Sequence, residues 1–263
     1  MLILLSPSKG QDFDHNPFQQ HSQPVLIKEA SSLAKELKSY QPQQISELMS
    51  ISENLSQLNY DRFQAFKTPL KLGVAKQAAL AFKGDVYTGL DAHSMKEKEW
   101  KYAQNHLRIL SGLYGYLKPL DLILPYRLEM KTKLPNAKGE NLYQFWGDKV
   151  THLINDELGS DAMKSKDVVV NLASKEYYKA VKPKLLNSPV LNIDFKETKD
   201  GKTRIIAFYA KVARGMLART MIDHQVEDIE QIKKLSFAGY SYREDLSKDL
   251  NWVFERAQPA PKK

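Results

Sequence analysis

The sequence predicts a single mixed α/β domain with a mixed sheet and surrounding helices. Short continuous apolar runs at Met1–Leu5 and Val168–Val170 read as strands buried on both faces. Stretches with apolar residues at helical spacing lie between and around them. No internal repeat and no composition shift marks a second domain, so residues 1–257 form one unit and 258–263 a disordered tail. The strand–helix order is irregular, so a doubly wound sheet is not predicted.

The elements follow in order. Met1–Leu5 ends at Ser6-Pro7-Ser8-Lys9-Gly10, and the polar residues 10–24, with Pro17 and Pro24, read as a long loop. Leu26, Ile27, Ala30, Leu33, Ala34 and Leu37 predict a helix over 25–40. Pro42 suits the first turn of a second helix carrying Ile45, Leu48 and Met49. A third opens at Ser52, with Leu58, Phe63 and Phe66 as its apolar face. Ala78–Phe82 fits either a strand or a helix end. Ser94 and Glu97 match a capping box, with a helix following to about Leu107. Leu142–Leu158 reads as one helix stopped by Gly159, and Asp167–Asn171 as a buried strand. Ser174 caps a helix through Val181, halted by Pro183. Val190–Phe195 and Arg204–Tyr209 read as strands joined by a hairpin turn at Lys199-Asp200-Gly201-Lys202. Lys211–Ile222 is a helix and Asn251–Arg256 a last edge strand.

Composition narrows the function classes. The chain is 42% hydrophobic and 10% aromatic, too apolar to be disordered. Zero Cys excludes disulfides, thiolate metal sites, iron–sulfur clusters and cysteine nucleophiles. No apolar run approaches the roughly 20 residues of a membrane span. The N-terminus lacks the basic n-region of a signal peptide, so the expectation is a cytoplasmic protein. The formal net charge of +8 is not spread evenly: residues 164–219 carry 13 basic and 5 acidic side chains and so account for all of it. An exposed basic surface releases condensed counterions when it meets a polyanion. Cationic side chains that only solvate helices and strands are the competing explanation.

Six clusters can carry chemistry. Ser6–Lys9 leaves the first strand, where ligands of open α/β sheets sit. Phe82–Gly89 brackets Lys83 and Asp85 with glycines that allow close backbone approach. Ser111-Gly112-Leu113-Tyr114-Gly115 loosely resembles the hairpin of a helix-hairpin-helix element, with a simple turn as the alternative. In Pro125–Met130, an extended chain would put Tyr126, Leu128 and Met130 on one face and Arg127 and Glu129 on the other. The last two are strand-to-helix junctions: Asn171–Ser174 leading to Lys175, Lys179 and Lys182, and Phe208–Ala210 leading to Lys211 and Arg214. Each sets cationic side chains beside the free N–H groups of a helix start. The six histidines are scattered, and no Gly-x-Ser-x-Gly, P-loop or GxGxxG is present, so neither a metal nor a cofactor is expected.

Taken together, FKGDVYTG (82–89), LSGLYG (110–115), PYRLEM (125–130), LYQFWG (142–147), NLAS (171–174) and FYAKVARG (208–215) resemble the YaaA family of bacterial peroxide-stress proteins. The resemblance runs from Leu2 to about Phe254. Ser8 departs from it, standing where the family pattern has Ala. The resemblance implies a cytoplasmic protein that limits oxidative damage and helps keep free intracellular iron low. It also implies a single-domain α/β fold with a positively charged cleft and a helix-hairpin-helix element, binding double-stranded DNA. The leading expectation is therefore sequence-independent DNA binding. Lys175, Lys179, Lys182, Lys184, Lys211 and Arg214 would hold phosphates, with Lys9, Lys83, Arg127, Gly112 and Gly115 at the same surface. The alternative is an enzyme acting on a nucleotide or damaged base through Lys9, Lys83 or Lys211, with Asp85 or Glu129 accepting a proton. Direct iron binding is disfavoured, because only carboxylates remain as ligands.

Overall fold

A computed structural model describes residues 1–14, 18–159 and 167–260. The chain opens with β1 (Leu2–Leu5), wholly buried, and the short β2 (Gly10–Gln11). Three helices follow: α1 (Ile27–Lys38), α2 (Pro42–Met49) and α3 (Glu53–Ala65). Helix α1 buries Ala30, Leu33, Ala34 and Leu37, as its spacing predicts, and Pro42 sits in the first turn of α2. In α3 the face differs from the pattern. Ser56, Asn59 and Phe63 are buried, while Leu58 is 43% exposed. The buried polar groups bond back to their own helix, Ser56 Oγ to Glu53 O and Asn59 Nδ2 to Leu55 O, which removes the penalty of burying them.

Next come β3 (Lys76–Gln77), the four-residue α4 (Ala78–Ala81) and β4 (Phe82–Lys83), so the ambiguous 78–82 run is a helical turn entering a strand. Helix α5 (Asp85–Leu90) leads to a 3-10 turn at Ala92–Ser94 and to α6 (Glu97–His106). Ser94 is not the cap of α6. Lys96 holds that position, with its N–H donating to Glu99 Oε2 at 2.6 Å. Then β5 (Leu107–Ser111), β6 (Gly115–Leu117) and β7 (Leu122–Ile123) run in sequence. Residues 107–117 thus form a buried β-hairpin, which corrects the helix-hairpin-helix reading of Gly112 and Gly115. A Cβ on Gly112 would lie 2.1 Å from Leu128 O. At Gly115, with φ +68°, a Cβ would stand 2.7 Å from the Trp146 ring. These glycines serve packing, not phosphate approach.

The stretch 142–158 is two helices, α7 (Leu142–Trp146) and α8 (Lys149–Leu158), because Gly147 turns the chain at φ 51°. Strand β8 (Val169–Asn171) is followed by α9 (Lys175–Tyr178), much shorter than a helix through Val181, and a 3-10 turn at Pro183–Leu185. Strand β9 (Val190–Lys199) turns at Asp200-Gly201, both at positive φ, into β10 (Lys202–Arg204). Helix α10 (Ala207–Asp223) already begins at Ala207, so 204–209 is not a strand. Helix α11 (Ile229–Ile232), β11 (Ser241–Tyr242), a 3-10 turn at Glu244–Leu246 and β12 (Asn251–Ala257) complete the chain.

The principal sheet runs β11-β12-β9-β8-β1-β5-β6, with β10 also paired to β9. Pairs β12/β9, β9/β8, β8/β1 and β1/β5 are parallel; the flanking pairs β11/β12, β5/β6 and β9/β10 are antiparallel. Strand β12 lies between β9 and β11, so it is not an edge. Placing β1 at the centre explains why Leu2–Leu5 is apolar on both faces. It also sets the carboxyl ends of β1 and β8 side by side. Among the described residues, no helix is long and apolar enough to cross a membrane.

Candidate functional site: a cleft at the ends of β1 and β8

The exits of the two central strands are tied together. Ser174 N–H donates to Ser6 Oγ at 2.8 Å, and the two hydroxyls lie 3.3 Å apart. Tyr87 OH donates to Ser6 O at 3.0 Å from the buried side. Ser8 Oγ donates to Lys83 O at 2.5 Å, fastening the first exit to β4. That approach needs glycine: a Cβ on Gly10 would stand 2.7 Å from Lys83 O, and one on Gly84 would stand 2.7 Å from Ser8 Oγ.

Helix α10 closes the far wall. It crosses α5 at backbone contact, with Gly89 facing Val212 and Gly215 facing Val86. A Cβ on Gly215 would lie 1.8 Å from Val86 O. This reciprocal glycine contact brings Lys211 and Arg214 of α10 beside Asp85 of α5.

The result is a cleft of about 560 Å³. Lys9, Lys83, Lys131, Lys211 and Arg214 line it, together with Asp85, Glu129, Glu176 and Tyr177. A second cavity of about 520 Å³ adjoins it, bounded by Lys9, Arg127, Glu129, Lys131 and Lys133 on one side and residues 47–50 on the other. Glu129 is shared by both. Its carboxylate gathers Lys9 at 2.7 Å, Arg127 at 3.3 Å and Lys131 at 3.3 Å. Burial would raise its pKa, but the hydrogen bonds and charge of Lys9 and Lys131 outweigh burial and hold it below the usual carboxylate value. Lys211 reaches Asp85 at 3.9 Å and Lys83 reaches Asp12 at 4.0 Å. The backbone N–H of Asp14, ahead of the nearby lysines, lowers the Asp12 pKa.

Arg214 differs from the other cations. Its half-buried guanidinium makes no ion pair or side-chain hydrogen bond among the described residues. Burial lowers its pKa, opposed only by the field of Asp194. A planar, permanently charged fork left without a partner in a cleft is suited to an anionic oxygen pair. Burial also raises the pKa of Tyr177, keeping a neutral phenol at the cleft floor.

Of the sequence-predicted residues, Lys9, Lys83, Asp85, Lys211 and Arg214 converge here, and Arg127 joins through Glu129. The lysine stripe does not. Helix α9 is too short to form one. Lys179 lies over the Tyr143 ring at 4.8 Å, and Lys184 sits in the following 3-10 turn. Lys175 and Lys182 are likewise absent from the cleft lining. Lys211 lies in the second turn of α10, away from the free N–H groups of its start. The sequence clusters do not single out Lys131 or Tyr177, which also line the cleft. Lys131 was legible in principle, since it continues the alternation of Arg127 and Glu129 while Tyr126, Leu128 and Met130 are buried.

Residues 1–246 match the family described as peroxide stress protein YaaA. The chain belongs to the YaaA family. It is 48% identical over 259 residues to a UPF0246 protein of Teredinibacter turnerae, covering 98% of this chain and 100% of that one. A UPF0246 protein of Saccharophagus degradans is 46% identical over 259 residues, with the same coverage. One of Colwellia psychrerythraea is 46% identical over 260 residues, again with 98% and 100% covered. The YaaA family match spans every segment that builds the cleft, from Ser6 to Arg214.

Proposed function

We propose that this peroxide-stress protein acts on nucleic acid, holding the phosphates of double-stranded DNA in the cleft without reading sequence. The observation that carries the reading is the convergence of five cationic side chains from four segments, with the Arg214 fork unpaired. Phosphate contacts of this kind position a duplex but carry no sequence information.

The helix-hairpin-helix element implied by the family resemblance would be the α2–α3 pair and not Gly112–Gly115. Helices α2 and α3 are joined by Ser50-Ile51-Ser52, with Ser50 left-handed at φ 51°. Ser50 faces the cavity shared with Lys9, Arg127, Lys131 and Lys133. No side chain caps the first N–H groups of α3, which leaves donors for a phosphate. Glu47 and Glu53 make this the less basic arm. Limitation of free iron would follow from the cellular role and rests on no side chain of the cleft.

The enzymatic alternative draws less support. Lys9, Lys83 and Lys211 are 59%, 74% and 57% exposed and each faces a carboxylate. That is the setting of cations at an anion site, whereas an amine nucleophile is usually desolvated. Borohydride trapping on DNA carrying abasic sites should give no adduct; a Lys211-dependent adduct would establish the enzyme.

The direct test is a salt titration of the full chain with a short duplex. Each neutralised phosphate contributes about −0.9 to the slope of log K against log salt. Three to five engaged cations give a slope of about −3 to −4.5. A slope near zero would refute the reading.

A further inference from the structure

Between Asp200 and Asp223 the chain carries no acidic residue, yet it carries Lys202, Arg204, Lys211, Arg214 and Arg219. Two large apolar side chains stand in solvent in the middle of this run. Ile205 is 53% exposed and Phe208 is 57% exposed. Lys202, Thr203 and Arg204, on the strand just before them, are exposed as well. Phe208 lies in the first turn of α10, three residues ahead of Lys211, so the two share one side of the helix. Lys211 lines the cleft.

Phe208 is also braced. Its ring meets Tyr209 edge-on, with centroids 5.5 Å apart, and the Arg256 guanidinium covers Tyr209 at 5.0 Å. A single exposed apolar side chain is ordinary on a protein surface. An exposed aromatic with cations before and after it and no carboxylate between them is not. A protein partner would favour a patch whose core is depleted of lysine. Nucleic acid offers both things this edge presents: phosphates for the cations and a flat apolar base for the ring.

We propose that Phe208, with Ile205 beside it, is a base-stacking wedge. It enters an unstacked base step of the duplex, whose phosphates lie along Lys202 and Arg204 on one side and Lys211 and Arg214 on the other. The inference rests on the phosphate-binding reading of the cleft and adds that the bound duplex is locally unstacked and bent. Wedges of this kind trade base stacking for a larger wrapped surface.

The test uses the full chain and a duplex of about 20 base pairs carrying 2-aminopurine at its centre, a base whose fluorescence rises on unstacking. The expected result is a fluorescence rise at saturating protein and low salt. Phe208→Ala should retain the wild-type salt slope, bind roughly 5- to 150-fold more weakly and give no rise. Phe208→Trp should restore both. If the wild type saturates the duplex without a rise, or if F208A gives the same rise, the wedge is overturned and the phosphate reading stands. If the wild type does not bind at low salt, both fall. A concentration-dependent dimer that F208A abolishes, with DNA binding unchanged, would overturn the wedge and make this edge a contact between copies of the chain.

Discussion

Replacing Gly215 by Ala tests whether backbone contact between α5 and α10 builds the cleft. The new Cβ would stand 1.8 Å from Val86 O, 2.8 Å from Leu90 N and 2.8 Å from the Val86 carbonyl carbon. Real Cβ contacts are essentially never under 3.0 Å, so the two helices must separate by about an ångström. The obstructing atoms are backbone, and no side chain can rotate out of the way. Overpacking usually costs about 1–3 kcal/mol, and a backbone obstacle places this site at about 3 kcal/mol. That is a large fraction of the roughly 5–15 kcal/mol stability of a folded chain. With a urea m-value of about 3 kcal/mol/M, the midpoint should fall by about 1 M. Gly201→Ala is the control. Gly201 has φ +72° with nothing within 4 Å, so only the left-handed backbone is penalised, by about 1–2 kcal/mol. The G215A protein that remains folded should also bind duplex DNA more weakly, because α10 carries Lys211 and Arg214 away from Asp85. A G215A midpoint no lower than that of G201A would refute the reasoning.

Two further outcomes follow from charges around the site and the core. Glu129→Gln removes the carboxylate that holds Lys9, Arg127 and Lys131, and should tighten DNA binding while steepening the salt slope by up to about 0.9; an unchanged or shallower slope in the same titration would count against a cation cluster that faces phosphate. Asp121 gives a pH dependence of opposite sign to that of the paired carboxylates. Burial pushes its carboxyl up to about 6, against the bonds it accepts from Ser22 Oγ and the Lys118 N–H. Its folded pKa is raised, so its contribution to stability is complete below its ordinary value of 3.8 and is lost as pH rises through about 6. Moving the carboxyl from 3.8 to about 6 corresponds to about 3 kcal/mol. A carbon-detected NMR titration of Asp121 should show a midpoint near 6, and a midpoint below about 4.5 would contradict the burial argument.

The contrast between what the sequence discloses and what it hides has physical causes. Strands β1 and β8 and helices α1 and α2 are legible because their burial follows directly from apolar period. Strand β5 is not, because Arg108 interrupts it. That side chain is 2% exposed and bonds to Glu157, 49 residues away, and to the carbonyls of Gln104, Asn105 and Leu107. Helix α3 misleads for a related reason, since Ser56 and Asn59 conceal their polarity against their own backbone. Charge counting locates the excess in 164–219 but cannot tell cleft from rim. Lys211 and Arg214 line the cleft because Gly89 and Gly215 let two helices touch, whereas Lys175 and Lys184, in the same basic stretch, are absent from its lining. The junction of Ser6 with Ser174, 168 residues apart, depends on β1 and β8 being neighbours, which is a property of the sheet order.

On the proposed function, phosphates are held by the cleft and not by the basic stretch as a whole. Two double variants in one salt titration with a short duplex separate the two possibilities. Lys211→Ala with Arg214→Ala removes two cleft cations. Lys179→Ala with Lys184→Ala removes the same charge from outside it. The first pair should flatten the slope of log K against log salt by about 1.8, and the second should leave it within about 0.3 of wild type. Equal flattening by both pairs would contradict it.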